Sequence, residues 1–225
     1  MNAHTILLAL ALPAVLGVGA LRAGDKHAVE VTKNPATIEE KSLDPDNPPE
    51  AIRKKIGKHK GFTTFLYSLR WNAQDELKSK KTTGDTVEAS FVIAKMDATL
   101  DLKTTVYLPA NASKKLRDHE AGHRRIADRM YEDADAQARR FAQAKIGRTY
   151  TGKGATVELA HTAATKLAGD ELLAEYLAAV EAEGQKVQDL YDNITSHGMD
   201  ARVEEEDAIK SAFEARKKEK SGRGG

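Results

Sequence analysis

The chain has 225 residues, with 35 Lys and Arg against 34 Asp and Glu and a formal net charge of +1. That balance provides no electrostatic footprint for nucleic acid, and an aromatic content of 5 % with a single tryptophan, Trp71, is too sparse for a base-stacking platform. With no cysteine, disulfides and thiolate ligands are excluded, so a zinc site would have to use His, Asp or Glu. The length suits one domain with extensions.

Ile6 to Val18 is an apolar run too short to span a bilayer comfortably, followed by small residues in Val18-Gly19-Ala20 and Leu21-Arg22-Ala23. Residues 1–23 therefore read as a secretory signal peptide, although only His4 and the amino terminus can carry the charge that precedes such a run. Export is expected, to the bacterial periplasm or the medium, with no stable membrane span once the signal is removed. Residues 24–60 read as an irregular arm or linker, because Lys33-Asn34-Pro35 and Asp44-Pro45-Asp46-Asn47-Pro48-Pro49 interrupt regular structure. Glu50 to Lys58 is expected to form a short helix led by the two prolines.

From Gly61 the hydrophobic period becomes two. Phe65, Tyr67, Leu69 and Trp71 alternate with Thr64, Leu66, Ser68 and Arg70, Val87, Ala89, Phe91 and Ile93 share a second period-two run, and Leu100, Leu102, Thr104, Val106 and Leu108 a third, up to Pro109. Three strands are expected, with Thr83-Gly84-Asp85 and Met96-Asp97-Ala98 as connectors, in an antiparallel meander.

Asn111 or Ser113 then caps a long helix expected to reach Ile146 and stop at Gly147. Within it, Asp118-His119-Glu120-Ala121-Gly122-His123 contains the pattern His-Glu-x-x-His. Residues four apart share a helix face, so His119 and His123 can converge on one zinc ion, while Glu120 points to its flank as general base. Leu116, His119, His123, Ile126, Met130, Ala134, Ala138 and Phe141 form one inward stripe that includes both imidazoles. A lone buried His is usually satisfied by hydrogen bonds, but a pair with a carboxylate placed beside it favours a metal.

Thr151-Gly152-Lys153-Gly154 is expected as a loop and lacks the longer pattern of a phosphate site. Thr156 opens a second helical region, which Gly169-Asp170 is expected to break. Tyr191-Asp192-Asn193-Ile194-Thr195-Ser196-His197-Gly198 ends that region. Residues 201–225 form a charged helix, acidic at Glu204-Glu205-Glu206-Asp207 and basic at Arg216-Lys217-Lys218, its charges on a solvated face, with a frayed tail from Ser221.

A catalytic zinc commonly takes three protein ligands and keeps one open position. Ile126 and Arg129 stand where the compact pattern His-Glu-x-x-His-x-x-Gly-x-x-His requires Gly and His, so the third ligand must come from a later segment. His161, Glu171, Asp192 and His197 are the candidates. His197 is favoured because it leaves a helix end at a glycine. Asp192 is then expected to hold a ligand imidazole through its second nitrogen. His161 is expected on a helix surface without a role.

The strand ending Val106-Tyr107-Leu108-Pro109, the Asp118 to His123 motif and the closing Tyr191 to Gly198 segment together resemble the bacterial domain of unknown function 922 family, labelled as predicted secreted zinc-dependent proteases. The resemblance covers Gly61 to Met199. It implies an α+β, zincin-like fold over residues 61–200, a small antiparallel or mixed sheet packed on the His-Glu-x-x-His helix and a second antiparallel helical region. It also implies that an extended peptide or protein substrate pairs with a sheet edge, either Val87 to Lys95 or Thr99 to Leu108. The expected activity is zinc-dependent peptide hydrolysis with one Zn²⁺, Glu120 as base and Tyr191 as a stabiliser of the oxyanion. The alternative is a non-catalytic envelope protein, with a structural metal or a partner-binding scaffold. Amino-terminal sequencing of the exported chain should find a start near Ala20 to Gly24; a chain still beginning at Met1 would refute the signal peptide.

Overall fold

The computed structural model describes residues 28–44, 47, 50, 61–200 and 202–222. The expected signal peptide, all but Glu50 of the expected helix from Glu50 to Lys58, and the last three residues of the tail lie outside these. Among the described residues the chain forms β1 (Val29–Lys33), β2 (Thr37–Ser42), β3 (Phe62–Thr83), β4 (Thr86–Leu108), α1 (Lys114–Glu132), α2 (Ala134–Gln143), β5 (Thr149–Gly154), α3 (Val157–Leu177), a π-helical turn (Ala178–Ala182), α4 (Glu183–Thr195) and α5 (Glu205–Gly222). It is a mixed α/β protein with a five-stranded sheet.

The sheet is built on β4, a strand of 23 residues. Gly84, at φ 57°, opens the tight turn with Asp85 that returns β3 into β4. β5 pairs antiparallel with Val87 to Val92, β1 parallel with Met96 to Leu100, and β2 parallel with Lys103 to Leu108. Two corrections follow. The arm is not irregular throughout, because β1 and β2 come from it, and Thr149–Gly154 is a strand and not a loop. Extended pairing with β4 satisfies their backbones, a tertiary effect that local alternation does not report.

The two later expected strands are one. Ala89, Phe91 and Ile93 are buried on odd numbers, Met96, Ala98, Leu100, Leu102, Thr104, Val106 and Leu108 on even ones, and Ala94 and Lys95 between them are half-buried. A one-residue phase slip of this kind is what a β-bulge produces. It resembles a chain break in sequence, yet Met96 to Ala98 continues the strand and pairs with Val29 to Val31. The expected docking edge is also corrected: both stretches proposed for it lie in β4, which pairs with β3 and with β5, β1 and β2 in turn.

The chain divides into two compact units. The first comprises the chain up to Lys33, Leu69–Leu100 and Asp135–Tyr176. In it α3 runs unbroken through Gly169, where a Cβ would stand 1.7 Å from Cε2 of Trp71. The expected helix breaker is thus the slot that receives the indole. Lys145, 1 % exposed, is neutralised by Glu175 at 2.8 Å and Glu171 at 3.4 Å.

The second unit comprises Asn34–Ser68, Asp101–Ala134 and the chain from Leu177. Its α1 begins at Ser113, whose hydroxyl accepts from the Leu116 N–H at 3.2 Å. It ends at Asp133 (φ −96°, ψ 11°) and not near Ile146; α2 starts anew at Ala134. The apolar stripe continues across this one-residue interruption, so periodicity does not register it. The π-helical turn adds a residue to the helical repeat just before α4 and resets which side chains face α1. Ile126 of α1, Val187 and Tyr191 of α4, and Ala208, Ile209 and Ala212 of α5 form one buried cluster.

The charges of α5 are not simply solvated. Lys115 pairs with Glu205 at 2.7 Å, Arg125 with Glu206 at 2.7 Å, and Glu183 receives Arg216, Lys186 and Lys220. Burial alone would raise the Glu183 carboxyl, but the hydrogen bonds from Lys186, Lys220 and Arg216 outweigh it and hold the group at about 2 against an ordinary 4.5. Because the folded value is depressed, the stabilisation is present above pH 4.5 and is lost as pH falls toward about 2. Glu183→Gln should therefore lower stability by about 1–3 kcal/mol at pH 7. Urea unfolding in chelator should show that difference vanishing toward pH 2; a pH-independent difference would exclude the ion-pair cause.

Candidate metal centre

Both histidines of the motif lie on the face of α1 that meets α4, so the four-residue spacing becomes a pair of convergent rings. Their Nε2 atoms stand 3.2 Å apart. Asp192, in the last turn of α4, places Oδ1 3.0 Å from His123 Nε2 and 3.3 Å from His119 Nε2. His119, His123 and Asp192 thus offer three ligand atoms on one small triangle. Ligands about 2.0–2.1 Å from a tetrahedral ion stand about 3.3–3.4 Å from one another. The triangle, with edges of 3.0, 3.2 and 3.3 Å, fits one face of such a site.

The protonation pattern makes the fit specific. Gln188 donates its Nε2–H to the His123 carbonyl at 3.0 Å, which turns Oε1 toward His123 Nδ1 at 2.6 Å. An amide oxygen only accepts, so Nδ1 carries a proton and, in the neutral ring, Nε2 presents a lone pair. At His119 the partner is Thr195 Oγ1, 3.5 Å from Nδ1. The Thr195 hydroxyl donates to Tyr191 O at 2.8 Å, so it accepts from His119 and leaves Nε2 bare there too. Two lone pairs and a carboxylate oxygen then face one another, and Asp192 Oδ1 is a buried atom without a hydrogen-bond partner. Such a cluster calls for positive charge at its centre. The shifts agree: burial, the largest effect on His123, would lower it, but Asp192 and Glu120 together with Gln188 raise it, while Asp192 is held far below its ordinary value although burial opposes this.

Asp192 and not His197 therefore completes the cluster, the reverse of the expected roles. α4 closes with the His197 N–H on the Asp192 carbonyl at 2.8 Å and the Ser196 N–H on that of Asn193 at 3.4 Å. The chain then turns through Ser196, His197 and Gly198 at φ 50°, 55° and 75°. This carries the His197 side chain outward, 48 % exposed, with Nδ1 3.6 Å from Asp192 Oδ1. Gly198 lies flat on His119, where a Cβ would come 2.7 Å from the ring Cγ.

Tyr191 is fully buried, stacked on His119 at 5.1 Å between centroids, its hydroxyl donating to the His119 carbonyl at 3.3 Å. It forms a wall of the site, with its hydroxyl committed to that carbonyl. Glu120, 4 % exposed, accepts from Thr63 Oγ1 at 2.6 Å. His161 belongs to the first unit and has a partner there, Asp75 Oδ2 at 2.7 Å, with the Phe91 ring edge-on to it; this corrects its expected idle surface position. Glu171, also in the first unit, accepts from Arg148 and Tyr150.

Sequence reasoning missed Thr63, Gln188 and, as a histidine partner, Thr195. Gln188, Tyr191, Asp192 and Thr195 stand at i, i+3, i+4 and i+7, one helix face, which was the available signal. Thr63 had none, being 57 residues from Glu120. Compared with protein-family models, curated proteins and solved structures, the chain finds no match.

Chelator competition for Zn²⁺ provides a ranking. Asp192→Ala and His123→Ala should each weaken binding on the order of 1,000-fold, about a third of a total of about 10–16 kcal/mol. Gln188→Leu should cost about 10- to 100-fold. His197→Asn, which tolerates the left-handed backbone, should stay within a few-fold. Loss of zinc in the His197 variant with retention in the Asp192 variant would reverse the assignment.

Proposed function

We propose that the chain is an exported zinc-dependent peptidase. The observation that carries this reading is the convergence of Asp192 Oδ1 with the His119 and His123 Nε2 atoms, all within 3.3 Å of one another, the two histidines being on the helix that also carries Glu120. The donor set, two imidazoles and one carboxylate with no thiolate in the chain, suits one Zn²⁺ held by His119, His123 and Asp192. When bound there, zinc would supply a water acidified toward neutrality and a Lewis acid for the scissile carbonyl.

Residues of the chain do the rest. Gln188 and Thr195 fix the two imidazole tautomers, and the Tyr191 ring and Gly198 both pack against His119. Glu120 accepts the proton of the attacking water on its carboxylate and returns it to the leaving amine. The resemblance to the predicted secreted proteases of the domain of unknown function 922 family, carried by the motif and the closing segment, supports the peptidase class. It also supports a zincin-like description of the mixed α/β fold.

The approach of His197 to the carboxylate, 3.6 Å, favours a second reading, a closed structural centre with His197 as a fourth ligand in a non-catalytic protein. Metal analysis of the purified protein and degradation of an unfolded protein substrate decide between them. Glu120→Gln should retain zinc and lose about 10²- to 10⁴-fold in kcat. A metal-free wild type would remove both readings. Zinc without Glu120-dependent hydrolysis would leave the structural one.

A further inference from the structure

We propose that the head of β3 orients the base: Thr63 and Gly61 are positioning residues that fix the Glu120 carboxylate from outside its own helix. The assignment rests on the peptidase reading for the role of Glu120, but on separate observations for its own geometry. A carboxylate at a helix position has free χ angles that something must hold if it is to act as a base. The strand does. Thr63 donates its hydroxyl to Oε2 at 2.6 Å, and both residues are buried. Gly61 lies against the other oxygen, where a Cβ would come 2.9 Å from Oε1 and 3.0 Å from Leu116 Cδ1. One oxygen is thereby tied, and the space beside the other exists because residue 61 has no side chain. Oε2 serves as anchor and Oε1 as the atom that takes the proton.

This division has a mechanical reason. A base that must receive a proton and return it needs one fixed geometry for both transfers, and misplacement by about 1 Å is enough to cost about 100-fold. Zinc ligation, in contrast, uses none of these atoms. Thr63→Val, nearly isosteric, removes the hydroxyl and keeps the branched shape. Thr63→Ser keeps the hydroxyl. Gly61→Ala keeps the hydrogen bond and crowds Oε1.

The test uses the zinc-loaded full chain and two probes besides hydrolysis: chelator competition, and binding of acetohydroxamic acid by calorimetry. Acetohydroxamic acid binds a metal as its anion, giving up its hydroxyl proton, which Glu120 is placed to accept, so its affinity reads the position of the base without turnover. In Thr63→Val, zinc affinity should stay within about threefold. Acetohydroxamate affinity and kcat should each fall about 10- to 100-fold with KM nearly unchanged, the scale of a lost hydrogen bond to a charged group. Thr63→Ser should restore both, and Gly61→Ala should lower both without loss of zinc.

Wild-type behaviour in Thr63→Val would overturn the assignment, as would Thr63→Ser failing as badly as Thr63→Val, which would assign the effect to packing. Were Thr63→Val not to fold, Gly61→Ala with unaltered hydroxamate affinity would overturn it equally. If Glu120-dependent, Thr63-dependent hydroxamate binding appears in a protein that hydrolyses no peptide, the peptidase reading fails and the positioning of Glu120 stands.

Discussion

The centre depends on how closely α4 can approach α1, and that distance is set at Gly122. A Cβ there would stand 2.1 Å from the Tyr191 hydroxyl oxygen. Without one, the tyrosine ring lies on His119 and its hydroxyl reaches the His119 carbonyl, which brings Asp192, one residue on, to the two Nε2 atoms. The second x of His-Glu-x-x-His is therefore as much a part of the site as the ligands. A larger side chain would move α4 outward and open a triangle whose edges are about 3 Å. Close-packed interiors transmit such a displacement, because no empty volume is available to absorb it.

The end of α4 is the second constraint. Non-glycine residues in the left-handed region cost about 1–2 kcal/mol each, and Ser196 and His197 both occupy it. The surroundings fix this conformation. The His197 and Asp200 N–H groups bond back to the Asp192 and Thr195 carbonyls at 2.8 and 3.1 Å, and Gly198 is seated on His119. The helix must stop where Asp192 still belongs to its last turn but the following residues leave the metal face. A helix continuing past Thr195 would lay further side chains along His119, where only a glycine fits.

How much of this was legible in the sequence follows from the range of each interaction. His119, Glu120 and His123 were readable because a helix converts four-residue spacing into adjacency, and the inward stripe of α1 told which way they face. The closing segment was readable as a region, yet the choice within it went to His197. A helix end at a glycine suggested a turn toward the site, but the direction of the turn after Thr195 depends on backbone angles that composition does not encode. The strands failed differently. The phase slip at Ala94 and Lys95 made β4 read as two strands, while β1, β2 and β5 owe their extended form to β4. Thr63 was beyond reach because a hydrogen bond across 57 residues leaves no local pattern.

The electrostatics of the triangle also determine what its centre can hold. Gln188 and Thr195 hold protons on the outer nitrogens, so positive charge at the centre comes either from a metal or from a further proton shared by His123 and Asp192. The raised His123 and the depressed Asp192 describe the second state, with Asp192 and Glu120 charges overcoming the burial that would otherwise lower His123. A metal entering there would therefore compete with a proton for one position and would have to displace it. The same buried carboxylate thus stabilises either occupant. Geometry distinguishes the two: one proton bridges two atoms, whereas an ion at tetrahedral spacing would bond all three.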